Sequence, residues 1–222
     1  MLTFDVDGRA ITVRPRTLVI CGWTGRDPAA VEHHIEELAA IGVARPSSVP
    51  LYYRVAASQL TQAETIQTVG EETSGEAEPV LVQTPEGLLM TVGSDHTDRA
   101  LEAHSVALSK QIAAKPVAST AWRLDGVGAS DDLALRAFVS DDGADWSPYQ
   151  NGTLAGILPL PKLVEGVRRT LGGLDDGTVI FCGTVPTLGG VKASPHFRAE
   201  LAAPDGRTLS LRYTTSVLPI VA

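Results

Sequence analysis

The sequence predicts an α+β fold that is mostly β, a mixed β-sandwich or rolled sheet carrying a few short helices. Three observations point there. Aspartate-glycine pairs at Asp7-Gly8, Asp142-Gly143, Asp176-Gly177 and Asp205-Gly206 separate stretches rich in Val, Ile, Leu, Thr or Phe. Such pairs tolerate positive φ and close hairpins. Helical periodicity is confined to a few short segments, so a regular βαβ alternation does not fit. Neither a GxGxxG nor a Walker sequence occurs to support a nucleotide-binding open sheet.

Taken in order, the expected strands cover residues 10–14, 18–22, 80–83, 88–92, 134–139, 178–183, 198–202 and 208–214. Two helices carry start and stop signals. The first has Asp27 as N-cap and Pro28 at the first helical position, and its predicted stop is Gly42. Val31, Ile35, Leu38 and Ala39 share its inward face. The second opens at Pro161, turns Leu163, Val164, Val167 and Leu171 inward, and stops at Gly172-Gly173. A third helix is expected over 99–114, and the acidic stretch 70–77 reads as a loop entering a strand.

The 222 residues suit one domain, 1–222, with a hairpin region at 1–22 joined to it. A chain of this size removes roughly 70% of its unfolded surface from water and needs no staples. The net charge of −8 opposes nucleic acid and anionic membranes as partners. Cys21 and Cys182 form no CxxC pair, which fits a reducing compartment and a cytoplasmic location. Residues 1–7 lack the basic-then-apolar form of a secretory signal. No stretch approaches the roughly 18–20 apolar residues a membrane span needs.

The chemistry concentrates around Glu76-Ala77-Glu78. Side chains alternate along a strand, so both glutamates face one way. Thr84-Pro85-Glu86-Gly87 is a four-residue turn with proline at its second position. If Thr84 pairs with Gly87, then Glu76 lies opposite Asp95, and all three carboxylates share a face. A one-residue slip would turn Asp95 away. The sequence offers no obvious internal cation for them, so a hard divalent ion such as Mg²⁺ or Mn²⁺ would relieve their repulsion.

These residues and their neighbours resemble the fumarylacetoacetate hydrolase family. Glu76-Ala77-Glu78 is similar to its E-x-E pair, and Ser94-Asp95-His96-Thr97-Asp98-Arg99 to its N-D-x-T-x-R signature. His34-Ile35-Glu36-Glu37-Leu38 resembles its H-x-x-E-L lid element, followed by prolines at 46 and 50 and by Tyr52-Tyr53-Arg54. Ala114-Lys115-Pro116 matches its lysine, and Cys182-Gly183-Thr184-Val185-Pro186 its glycine-rich strand end. The nearest branch is the compact one labelled domain of unknown function 2848. Serine stands in place of asparagine before Asp95, Arg54 where lysine is usual, and Val185 between the Thr and Pro of the family pattern. The separation of Glu78 and Asp95 is also short.

The resemblance implies a Mg²⁺- or Mn²⁺-dependent enzyme that hydrolyses a C–C bond in a small 2-oxo acid or 1,3-dicarbonyl. Decarboxylation and keto-enol isomerisation on the same site, or a non-catalytic carboxylate-binding member, are the alternatives. It implies Glu76, Glu78 and Asp95 as metal ligands, with Lys115 beside a developing oxyanion. His34 and Glu37, three apart on one helix face, would form a water-activating pair. Arg54 and Thr184 would bind the substrate carboxylate, and a homodimer is expected. Arg99 suits a structural ion pair, Cys182 the core, and His96 a position facing away from Asp95.

Overall fold

The computed structural model describes residues 1–40, 44–128 and 130–221. The expected helix stop at Gly42 and the side chain of Leu38 lie outside the described residues. The protein is mostly β with a few short helices and mixed sheets, as predicted. Its larger sheet runs in the order Trp122–Arg123, Gly87–Ser94, Ala77–Thr84, Thr178–Phe181, Thr17–Gly22, Leu51–Val55. Within it only Thr178–Phe181 and Thr17–Gly22 run parallel. A second sheet orders Ser147–Thr153, Ala134–Ser140, His196–Ala202, Thr208–Leu218 and Thr65–Val69, with the last pair parallel.

The two sheets read differently in the sequence because they are buried differently. Val80-Leu81-Val82 and Val179-Ile180-Phe181 are unbroken apolar runs because both faces of the larger sheet are covered. One face supplies Val19, Cys21, Leu81, Met90, Val92 and Ile180 to a core shared with Leu135, Ala137, Phe197, Ala199 and Tyr213 of the second sheet. The other face supplies Leu18, Ile20, Val80, Val82, Leu89 and Phe181 to a core capped by Leu2, Phe4, Val6 and Val13. Those last four come from the N-terminal hairpin, which closes through positive φ at Asp7 and Gly8. Asp5 ties the hairpin down, its N–H donating to Ser119 O and its carbonyl accepting from Ala121 N. The second sheet alternates buried and half-buried residues along His196–Ala202, the signature of a sheet more fully covered on one side.

The helices sit where their caps allow. Pro28–Ala40 (α1) starts with Asp27 Oδ1 accepting from Ala29 N at 2.9 Å, the expected cap. The region 99–114 is split into Arg99–Glu102 (α2) and Val106–Gln111 (α3). Ser105 causes the break: its extended backbone and hydroxyl, which accepts from Leu108 N, begin a new helix. Leu160–Leu171 (α4) buries Leu160, Leu163, Val164 and Val167 in the inter-sheet core and ends on left-handed Gly172.

Two strand expectations need correction. The strand expected over 178–183 ends at Phe181, because Gly183 takes φ +96° and turns the chain. The loop expected over 70–77 contains Thr73–Ser74, which pairs with Thr97–Asp98. Ser147–Thr153 escaped the sequence reading because proline and Asn-Gly interrupt its pattern. It tolerates them as an edge strand beside a bulge at Ala137/Phe138.

Gly177 is a position where the fold admits no side chain. It has φ +83°, and a Cβ there would lie 2.3 Å from the carbonyl oxygen of Arg14. Its own carbonyl accepts from Arg16 N at 2.9 Å. Gly177→Ala is expected to lower unfolding free energy by about 2 kcal/mol or more, since strain and clash act together. Urea denaturation with an unchanged midpoint would contradict this.

Candidate metal centre

Glu76, Glu78 and Asp95 converge, and each offers one carboxylate oxygen within 4.8 Å of the others. The hairpin register is responsible. Thr84 pairs with Gly87, Glu78 with Gly93 and Ala77 with Ser94. Asp95 N then donates to Glu76 O at 3.0 Å, continuing the ladder one step. The turn is pinned by Thr84 Oγ1, which donates to Gly87 O and accepts from Glu86 N.

The peptide joining the two glutamates is held from both sides, by Gln150, which the sequence did not single out, and by Thr184, which it assigned to the substrate. Ala77 N donates to Gln150 Oε1 at 2.8 Å, and Ala77 O accepts from Thr184 Oγ1 at 2.8 Å. Gln150 Nε2 donates in turn to Thr184 Oγ1 and Val185 O, which closes the brace. Thr184 Oγ1 is therefore spent on the scaffold, not aimed at a substrate. Gly183 N donates to Glu78 Oε2 at 2.8 Å, and the glycine is needed because a Cβ would lie 1.8 Å from Thr24 Oγ1.

The expectation that no internal cation serves these carboxylates is corrected. Lys110 Nζ makes an ion pair with Asp95 Oδ2, and Lys115 Nζ lies 3.3 Å from Asp95 Oδ1. Arg99 Nη2 lies 3.3 Å from Glu76 Oε1, while its other nitrogens reach Ser74 Oγ and Glu102 Oε2. Arg99 thus has the structural role foreseen for it. Burial would raise the Asp95 carboxyl, but Lys110 and Lys115 outweigh it and hold the group below its usual range. Lys110 itself is raised, because Asp95 and Glu76 more than offset its desolvation.

Glu78 differs from its neighbours. It is buried and has no ion-pair partner among the described residues, and burial followed by repulsion from Asp95 drives its carboxyl well above the usual range. A hard, all-oxygen donor set with one uncompensated buried carboxylate is what a divalent cation would satisfy. The residues therefore fit such an ion.

The remaining expected site residues are placed as follows. Lys115 is fully buried and directs its ammonium to His96 O, Ala113 O and Asp95 Oδ1, so it steadies Asp95 and has no spare donor. Burial, with Lys110 nearby, lowers it to about 8. Arg54 is exposed and shares the strand face of Tyr52, which packs at Gly166 of α4, so the centre lies on the opposite face. Tyr53 takes the inward place instead, its ring 5.8 Å from Lys110 Nζ. His34 and Glu37 do approach, Nδ1 to Oε2 at 3.5 Å, but His34 is 61% exposed and His33 also reaches Glu37 at 3.3 Å. His34 packs on Trp23 with ring centroids 5.8 Å apart, and Trp23 Nε1 donates to Tyr53 OH at 3.2 Å. A continuous line of contacts therefore joins α1 to Asp95. Trp23 holds φ +59°, a strained conformation for a bulky residue.

His96 faces the inter-sheet core with Ser94, where Tyr213 OH contacts both Ser94 Oγ and His96 Nδ1. Burial, aided by Lys115 and Arg99, pushes its imidazole down to about 3, so it stays neutral. Cys182 is buried in the same core, as expected. No helix among the described residues is long and apolar enough to cross a membrane.

Sheets, caps and acidic centre together define a fumarylacetoacetate hydrolase-like fold carrying an all-oxygen site able to hold a metal ion. The chain belongs to the family described as "Protein of unknown function (DUF2848)", whose model matches residues 21–213. No curated protein matches it. Among solved structures it is similar to a candidate fumarylacetoacetate isomerase/hydrolase from Oleispira antarctica, with TM-score 0.72, 18% identity and coverage of 97% of this chain and 100% of that one. A candidate fumarylpyruvate hydrolase from Burkholderia cenocepacia gives TM-score 0.67 and 20% identity over 98% of this chain and 96% of that one. A 2-keto-3-deoxyarabinonate dehydratase gives TM-score 0.67 and 15% identity over 93% and 74%. At these identities the likeness is one of fold.

Gln150→Leu is expected to orphan the buried Ala77 N–H. It should lower unfolding free energy by about 1–3 kcal/mol, the penalty for one unsatisfied buried group. Guanidinium denaturation of the variant beside wild type reads this directly, and equal midpoints would remove Gln150 from the brace.

Proposed function

We propose that the protein is a divalent-metal-dependent hydrolase that cleaves a C–C bond in a small 2-oxo acid or 1,3-dicarbonyl. The observation that carries this reading is Glu78, a buried carboxylate beside two others with no cation of its own. Glu76, Glu78 and Asp95 would hold Mg²⁺ or Mn²⁺, and the bound ion would supply Lewis acidity toward a substrate's two oxygens. Lys115 keeps Asp95 oriented through the contacts described above. His34 leaves Nε2 available to take a proton from water while Glu37 orients Nδ1. Trp23 and Tyr53 stand between that pair and the acidic centre. The names of the similar solved structures support the substrate class, since oxo acids recur among them.

One observation favours a second reading, decarboxylation or keto-enol isomerisation. His34 is largely exposed and meets the centre only through Trp23 and Tyr53, and neither reaction needs activated water. The proposal extends to a cytoplasmic homodimer acting on a small molecule. Supporting it are two buried free cysteines, and exposed Val69, Val217 and Leu218 at the edge of the second sheet.

Wild-type protein with Mn²⁺, screened against acylpyruvates and related oxo acids, is expected to consume the enol absorbance. Glu78→Gln is expected to lose Mn²⁺ binding in calorimetry, and wild-type affinity in that variant would sink the metal reading. His34→Ala is expected to slow hydrolysis by about 10²-fold or more. Undiminished hydrolysis would remove the pair and leave the isomerase or decarboxylase reading. Carboxylate binding without any turnover would mark a non-catalytic member.

A further inference from the structure

Two lysines touch Asp95, and they are held in different ways. Lys115 spreads its ammonium over three oxygens, two of them backbone carbonyls, and is fixed in place. Lys110 donates to Asp95 Oδ2 alone, and its other near neighbour is the ring of Tyr53. Its side chain is 8% exposed, so this lone contact is made largely out of water. Glu76 and Glu78 add their attraction to that of Asp95. The backbone beneath Lys110 is anchored at both ends of its helix. Its helix is capped by Ser105, and the adjacent Gln111 Oε1 accepts from Ala56 N at 2.8 Å. What can move is the four-carbon stem.

We propose that Lys110 is the built-in counter-cation of the acidic centre, competing with a divalent ion for Asp95 and so setting the affinity of the site for metal. The proposal rests on the metal reading of the three carboxylates. A carboxylate that holds an ammonium has part of its negative charge already neutralised and offers less of it to a metal ion. A positive charge left a few ångströms from a divalent ion opposes its entry. Repulsion from the incoming ion is therefore expected to displace Lys110 from Asp95. The released ammonium is then free beside the centre, placed to meet an anionic substrate, so metal and carboxylate ligand each favour the other's binding.

Calorimetric titration with Mn²⁺ alone, on the full chain without substrate, tests this. Lys110→Met and Lys110→Gln are expected to bind about tenfold more tightly than wild type, or better, and Lys110→Arg to stay near wild type. Mn²⁺ binding in the neutral variants but not in wild type also supports the proposal. Equal or weaker affinity in both neutral variants, with wild type binding, overturns it and leaves the metal reading standing. No binding in any form overturns both. Should the neutral variants fail to fold, reductive methylation of wild type followed by mass spectrometry decides. Labelling of Lys110 is expected to rise when Mn²⁺ is added, and unchanged labelling overturns the proposal.

Discussion

Burying a carboxylate without a cation beside it is among the more expensive things a fold can do, and Glu78 is such a group. Much of the local architecture makes sense as the means of keeping it there. Gly183 gives up ordinary backbone geometry so that its N–H can reach Oε2. Gln150 and Thr184 clamp the peptide that precedes it, and they come from segments more than 70 residues downstream. A carboxyl whose charge is disfavoured in this way would gain the partner it lacks from a divalent ion.

The cations are arranged unevenly around that charge. Asp95 has two lysines and Glu76 has an arginine, whereas Glu78 has no ion-pair partner among the described residues, only the attraction of Lys110 across the cluster and one amide N–H. The centre is thus partly neutralised at one end and bare at the other. A fully compensated cluster would have little need of an exogenous ion, and a fully bare one would be hard to fold. The strained Trp23 belongs to the same economy of placement, because it joins the exposed histidine on α1 to Tyr53 and so to Lys110.

Much of this was legible in the sequence, for definable reasons. The register of Ala77–Thr84 and Gly87–Ser94 followed from one tight turn, because a two-residue loop leaves no freedom of pairing. That register alone brought three carboxylates to one face. Lys110 was illegible, since it stands on a short helix whose break at Ser105 depends on local capping instead of periodicity. Gln150 was hidden for another reason: it lies on an edge strand interrupted by proline, and its role comes from a contact 73 residues away. Arg54 shows the opposite failure. A motif match located the right strand, but alternation of side chains gave the inward place to Tyr53.

The larger sheet is covered on both faces, one by the second sheet and one by the N-terminal hairpin. Strands sandwiched in this way are the last part of a molecule to open, whereas an exposed helix such as α1 frays at little cost. The three carboxylates therefore lie on or beside strands expected to open last, and the histidine pair on a helix expected to fray first. Fraying of the helix would therefore leave the spacing of the three carboxylates unchanged.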